Sequence, residues 1–382
     1  MKIFIIAETL TTGGAEWFSL RLAKALTDHG HDVSFFVMRP DMINDRIARK
    51  FAEIELITLP LAWTRLLVQG DRVWNKIFGK KWLVEAGNAR LIRNYYRRKG
   101  ADAIHSHLIE ADLVALSSNL GEQVQLVTTV HGDYTSALKQ NKRQREIRKL
   151  MHGLSHIAVI SEEQRSILSD SFPDVADKIS KIYNGYPPPE TARHTIGKTH
   201  SVFVFGMIAR AIPEKGWKPL IRAFSRISDK NVRLVLYGEG AYLDNLKSEN
   251  DDERIEFAGF SDDPLAAIGK MDVGLLPSYL KAESLPTTVI EYLAMKKPVI
   301  VTNVGEMKNM IKDDRNESAG IVIDELDETA MVPLLYEAMM KLSGDKQFYE
   351  EKALCAERAF EKFSMNKCVQ AYEKLYRIRR DH

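Results

Sequence analysis

Two cations and two carboxylates carry the most specific chemistry in this sequence. In G-M-I-A-R-A-I-P-E-K-G-W, Gly206 to Trp217, Arg210 and Lys215 follow an apolar run and precede a helical pattern. Two positive side chains at the mouth of a sheet, beside a helix N-terminus, suit the two phosphates of a diphosphate. Further on, E-S-L-P-T-T-V-I-E sets Glu283 and Glu291 at either end of a segment that reads as a helix start. Ser284 can cap such a helix, Pro286 suits its first turn, and Thr287 and Glu291 share a face. Val289, Ile290, Tyr292 and Leu293 crowd Glu291, so it reads as partly buried, and a buried carboxylate needs a partner. Amides of the first turn bind anions, and carboxylates accept hydrogen bonds from hydroxyls such as those of a sugar and a ribose.

Two further groups lie in the first half. T-T-G-G-A-E, Thr11 to Glu16, follows the first strand pattern, and its paired Gly13 and Gly14 allow a ligand close to the backbone. It is not the G-x-G-x-x-G of a dinucleotide site, and Arg39 stands where the second strand of such a site ends in an acid. A nicotinamide oxidoreductase is therefore disfavoured. T-T-V-H-G-D puts His131, Gly132 and Asp133 at the carboxyl end of the fifth strand pattern, a position that faces a ligand crevice in parallel sheets. His105 and His107, in I-H-S-H-L, end the preceding strand. With no Cys or His partners in metal-ligand spacing, they are expected to line the cleft and not to bind a metal.

These groups need a scaffold of strands alternating with helices. Ile3–Ala7, Val33–Val37, Ala103–His105, Val124–Val130 and Ile157–Ile160 read as strands, and residues 15–28 as a helix. The pattern stops at Y-N-G-Y-P-P-P-E-T-A-R-H-T-I-G-K-T-H, residues 183–200, whose three prolines predict a linker. It restarts with strands over 201–207, Val232–Tyr237, Ile255–Phe257, Val273–Leu276 and Val299–Val301, and becomes mainly helical after about residue 326. The reading is an α/β chain of two doubly wound parallel-sheet domains, residues 1–183 and 201–363, joined by a linker at 184–200. The natural ligand site is a cleft between them. Residues 364–382 form a last helix.

Composition agrees with that organisation. At 382 residues the chain is too long for one ordinary core. Residues 1–200 carry 28 Lys and Arg against 22 Asp and Glu, and the remainder 26 against 30, an asymmetry too mild for nucleic-acid binding. The two cysteines, Cys355 and Cys368, form no C-x-x-C motif and suggest a reducing compartment. M-K-I-F-I-I-A is too short an apolar run for a signal peptide, and no stretch approaches the ~20 apolar residues of a membrane span. The expected location is the cytoplasm, with peripheral attachment to the inner face of the cell membrane left open.

Taken together, Gly13-Gly14, His131 in V-H-G-D, Arg210 and Lys215 in R-x4-K-G, and Glu283 to Glu291 as E-x7-E resemble the retaining glycosyltransferases of family 4. The resemblance runs from residue 1 to about 325. It implies the GT-B fold, with two Rossmann-like domains facing a central cleft and a C-terminal helix crossing back to the N-terminal domain. It also implies a nucleotide-diphosphate sugar as donor and a glycan or lipid-linked glycan hydroxyl as acceptor, in cell-surface polysaccharide or lipopolysaccharide synthesis. His131, Arg210, Lys215 and Glu283 would be catalytic. The donor would contact Gly13, Gly14, Asn184, Gly206, Arg210, Lys215, Ser284, Leu285, Pro286, Thr287 and Glu291, with Glu283 on the sugar and Glu291 on the ribose. Glu16, His107 and Asp133 fall on the acceptor side. The family usually has Gly or Phe after its first acid, where this chain has Ser284-Leu285-Pro286, so the fit around the sugar is expected to differ. No cofactor is expected, and the absence of a D-x-D triplet suits metal-independent transfer with Arg and Lys in the place of a divalent cation.

Two alternatives stand beside this reading: a non-hydrolysing sugar-nucleotide epimerase with the same two domains, and a binding protein without catalysis, which would have lost some of these charges. On the acceptor side, residues 63–99 mix Trp63, Trp74, Phe78 and Trp82 with Arg72, Lys76, Lys80, Lys81, Arg90, Arg93, Arg97, Arg98 and Lys99, and a second basic run spans 139–149. Basic and aromatic residues together suit an anionic membrane surface.

Overall fold

A computed structural model of the chain describes residues 1–11, 13–78, 82–131, 141–189, 202–281 and 283–377. Asp133 and most of the linker expected at 184–200 lie outside them. The chain divides into two compact units, Met1–Gly185 with Met365–His382, and Tyr186–Ser364.

The first unit is built on seven parallel strands: β1 (Lys2–Ala7), β2 (Asp32–Val37), β3 (Leu56–Ile57), β4 (Ala103–His107), β5 (Gln125–Val130), β6 (His156–Val159) and β7 (Ile179–Lys181). Their order is β3-β2-β1-β4-β5-β6-β7. The inner strands β4 and β6 are buried along their whole length, as expected where helices cover both faces of a parallel sheet. The helix Gly14–Asp28 seats Phe18, Leu22, Ala23 and Leu26, one apolar face at helical spacing, against that sheet.

The last helix, Met365–Arg377, joins this first unit. Met365, Cys368, Val369, Tyr372, Leu375 and Tyr376 form its buried face and merge with the core around Ile3, Ile5 and Phe18. Each such buried side chain contributes on the order of 1.5–3 kcal/mol, so the C-terminus is part of this unit's core. Glu373 Oε1 reinforces the seam at 2.7 Å from His31 Nε2.

The second unit holds β8 (Phe203–Ile208), β9 (Val232–Tyr237), β10 (Ile255–Gly259), β11 (Val273–Leu276), β12 (Val299–Thr302) and β13 (Gly320–Ile323), all parallel, in the order β10-β9-β8-β11-β12-β13. In each sheet the direction of winding reverses at the first strand, between β1 and β4 and between β8 and β11. Ligands of open α/β sheets bind outside the carboxyl ends of the strands at such a switch point.

Three strands escape the sequence reading. β3, β7 and β13 are two to four residues long, and each sits at a sheet edge. Tyr186, inside the expected linker, is 5% exposed and bridges to Ser364, so the chain is already packed into the second unit there.

Candidate active site

The chemistry of the second unit gathers at its switch point. After β8 the chain passes Arg210 and enters a 3-10 turn, Pro213–Lys215. After β11 it runs through Ser278 and Tyr279 to Glu283. The two loops are pinned together: Tyr279 N donates to Glu214 O at 2.8 Å, and Ser278 Oγ lies 3.1 Å from both Glu214 O and Glu283 Oε2. Lys215 Nζ donates to Glu283 Oε2 in an ion pair whose side chains are only 8% and 11% exposed. Gly216 makes this approach possible. It has φ +82°, and a Cβ there would strike the carbonyl of Pro277.

Glu283 is also fixed from behind. Gly305, at φ +55° after β12, packs so closely on this loop that a Cβ would collide with the Glu283 carbonyl and crowd that of Ser284. Glu306 N donates to Ser284 O at 3.0 Å. Arg210 differs from Lys215: its side chain is exposed, and among the described residues its guanidinium has no carboxylate partner. The site thus holds one cation anchored by Glu283 and one without a carboxylate partner among the described residues.

Ser284 does not cap the following helix. That helix is Thr287–Ala294, with Pro286 at the N-cap position and no side-chain cap. Proline disfavours helical geometry in the residue before it, which holds Leu285 out of the helix. Thr287 and Glu291 still share a face, while of the first-turn amides Val289 N bonds Pro286 O at 3.1 Å. Glu291 is 8% exposed, and its Oε1 accepts from Tyr186 Oη at 3.0 Å. Next to it, the fully buried Tyr292 accepts from Ile208 N at 3.0 Å and donates to Leu275 O at 3.4 Å, tying the helix to the ends of β8 and β11. Burial and the neighbouring Glu291 carboxylate raise the Tyr292 phenol well above its usual pKa. Gly206 is buried within β8 against Met271, so its missing side chain serves packing.

In the first unit a stack of histidines lies at the other switch point. His105 and His107, expected to line the cleft, are 0% and 2% exposed. β4 alternates, so both rings fall on one face, 4.4 Å apart between centroids. His107 Nδ1 lies 3.0 Å from Nε2 of His131, which directly follows β5, and Phe18 packs edge-on to both rings. Below them, His105 bonds Tyr376 Oη and Thr129 Oγ1, each at 2.7 Å, and Thr129 bonds Tyr372 Oη at 2.6 Å. Burial pushes His105 and His131 down to about 3 and His107 well below its ordinary value, so all three rings are neutral at pH 7. Nε2 of His107 and Oδ1 of Asn184 are buried without a hydrogen-bond partner among the described residues.

The glycine turn holds its own anion. Gly13 is the N-cap of helix Gly14–Asp28, and Gly14 is exposed at its first position. The carboxylate of Glu16 folds back over Gly13 and accepts from Thr9 Oγ1 at 3.1 Å and Thr11 Oγ1 at 2.9 Å. A negative group is favourable at a helix N-terminus, and here Glu16 supplies it.

Sequence reasoning missed Ser278, Gly305 and the tyrosines of the last helix. A glycine three residues after a strand, as in T-N-V-G-E at 302–306, was the signal available for Gly305. Asp313, Glu317 and Cys355 converge as possible metal ligands, but Arg358 engages both carboxylates, at 2.7 and 2.6 Å, and fills that role.

Comparison with known proteins meets this geometry in both halves. Residues 12–188 match the model described as Glycosyltransferase Family 4, and residues 200–341 the one described as Glycosyl transferases group 1. An uncharacterized glycosyltransferase of Methanocaldococcus jannaschii is 25% identical over 79% of this chain and 82% of its own. The putative teichuronic acid biosynthesis glycosyltransferase TuaC of Bacillus subtilis is 26% identical over 55% of each chain. Among solved structures, Anabaena HepE in complex with UDP and glucose aligns over 98% of both chains with TM-score 0.70 and 16% identity, a likeness of fold. Two parallel-sheet units with their polar residues at the switch points, and family matches across both, identify the chain as a GT-B glycosyltransferase belonging to family 4.

Proposed function

We propose that the second unit binds a nucleotide-diphosphate sugar and that the enzyme transfers the sugar, with retention, to a hydroxyl of a glycan or lipid-linked glycan. The observation that carries this reading is the junction of Lys215 and Glu283 across the β8/β11 switch point, with Arg210, which has no carboxylate partner among the described residues, on the same loop as Lys215. Arg210 and Lys215 hold the diphosphate and stabilise the charge that develops as it departs. Glu283 and Glu291 accept hydrogen bonds from the sugar and ribose hydroxyls, and amides at the start of helix Thr287–Ala294 face the anion.

In the step itself, the bond from the anomeric carbon to the diphosphate oxygen breaks while the acceptor oxygen bonds to the same face of that carbon. The acceptor proton passes to the departing phosphate. Both cations come from the chain, so no metal ion is required. His131, neutral and hydrogen-bonded to His107, has a hydrogen bond to offer and not a charge. The relative named for teichuronic acid synthesis and the UDP and glucose held by HepE support a UDP-sugar donor and a polysaccharide product.

The test is to incubate the protein with UDP-, GDP- and ADP-sugars, with and without glycan acceptors, in the presence of EDTA, and to follow nucleotide release and anomeric configuration. The expected result is acceptor-dependent release with retained configuration. Conversion of the sugar nucleotide without any acceptor would instead favour an epimerase.

A further inference from the structure

Helix Leu61–Phe78 is mounted with its apolar side outward. Trp63, Leu66, Val73, Trp74 and Ile77 are 37–67% exposed, whereas Thr64 and Asp71 are 0% and 5% exposed on the inner side. At 100° per residue the five apolar side chains fall within one arc of about 100°. Seven of the thirteen exposed large apolar residues among those described belong to residues 61–82. The inward mounting is specified: Asp71 accepts from the amides of Trp82, Leu83 and Val84 at 2.8–3.0 Å and caps the next helix, Leu83–Lys99. Asp71 therefore fixes the helix with its stripe turned to solvent.

The stripe has a cationic border and continues into a cationic groove. Arg65, Arg72 and Lys76 lie exposed along its flank. The rings of Trp74 and Trp82 meet edge-to-face at 6.0 Å, and Trp82 forms the mouth of a groove of about 450 Å3 along helix Leu83–Lys99. Arg90, Arg93, Asn94 and Arg97 line it. Arg93 is spent on the carbonyls of Ser117 and Ser118 at 3.1 and 3.0 Å, while Arg90 and Arg97 have no carboxylate partner among the described residues. The groove's one acid, Glu85, is half-buried, and that burial raises its pKa. Over the two helices eight Lys and Arg face two acids, one of them the capping Asp71.

We propose that these two helices form a docking surface for an anionic lipid bilayer, with the stripe of Leu61–Phe78 entering the acyl boundary and Arg90 and Arg97 taking a lipid phosphate. An apolar arc bordered by cations is the signature of a helix lying in a membrane interface. The excess of eight cations over two acids spread along both helices matches the continuous negative charge of an anionic lipid surface beside its apolar phase. The surface goes beyond the donor chemistry, so its test reads lipid binding and not turnover.

Flotation of the full chain with vesicles of equal parts phosphatidylglycerol and phosphatidylcholine, against phosphatidylcholine alone, decides the matter. The protein is expected to float with the anionic vesicles only, less so as salt rises, with its tryptophan fluorescence quenched by brominated acyl chains. Leu66→Glu with Ile77→Glu, at positions already exposed, should abolish flotation and leave the melting temperature unchanged. Arg90→Gln with Arg97→Gln should weaken it by about fivefold per cation removed. No flotation of the wild-type protein, or undiminished flotation of the glutamate variant, would overturn the proposal. A dimer of the wild-type protein dispersed by the same glutamates would also overturn it, by assigning the stripe to a second copy.

Discussion

Lys215 and Glu283, 68 residues apart in sequence, form a nearly buried ion pair that locks the loop after β8 to the loop after β11. Removing one partner of such a pair strands the other charge away from water, a cost that exceeds the net value of the pair itself. Lys215→Met is therefore expected to destabilise the second unit by about 3 kcal/mol and to abolish transfer. Adding Glu283→Gln should restore most of the stability and none of the activity. Urea unfolding checks the first statement, and unchanged stability in Lys215→Met would contradict it.

Gly305 presses on the backbone of Glu283 from the other side. An alanine would need both a left-handed backbone and space that the Glu283 carbonyl occupies. Gly305→Ala should lower stability by ~1–3 kcal/mol and turnover in parallel, because Glu283 must shift. A variant with wild-type melting temperature and turnover would show that the loop has more room than the packing allows.

The neutral histidine stack makes stability depend on pH in one direction. With folded-state values near 3 for His105 and His131, against 6.5 when unfolded, the unfolded chain binds more protons between those limits. Stability is complete above about pH 6.5 and is lost as pH falls below it, at up to about 1.4 kcal/mol per pH unit for each histidine. Unfolding curves at pH 7.5 and 5.5 measure this, and nitrogen NMR of the rings should find them neutral at pH 6. Histidines that titrate near 6.5 in the folded protein would contradict the enclosed stack.

Tyr376 holds the base of that stack from the C-terminal helix, through its hydroxyl on His105 Nδ1. Tyr376→Phe leaves a buried ring nitrogen without its partner and should cost ~1–3 kcal/mol. The His105 ring resonances should move with it. A shift confined to the C-terminal helix would argue that the tyrosine packs and does not position.

Much of this architecture was legible because it rests on local pattern. The strands β1, β9 and β11 stand out as short apolar runs, and the mainly helical end of the chain was foreseen to within a few residues. The edge strands β3, β7 and β13 were not legible, since two to four residues carry no periodicity. In the candidate site, Arg210, Lys215, Glu283 and Glu291 were singled out by type and spacing. Their partners were not: the pairing of Lys215 with Glu283, the Tyr186 hydroxyl on Glu291 and the Gly305 contact all join segments distant in sequence. Ser284 as a cap failed because Pro286 governs that turn. The burial of His105 was not legible, because Tyr372 and Tyr376 of the last helix, which pack on it, have no signal linking them to β4.

The most direct measurement is acceptor-dependent release of nucleoside diphosphate by Arg210→Ala beside the wild-type enzyme. Arg210 is exposed and makes no ion pair among the described residues, so its loss should leave folding intact. Leaving-group charge develops chiefly in the transition state, and loss of a donor to it typically costs ~3–4 kcal/mol, so kcat should fall by 10²–10³ with a smaller change in KM. An Arg210→Ala enzyme with the melting temperature and kcat of the wild type would contradict the diphosphate site at the β8/β11 switch point.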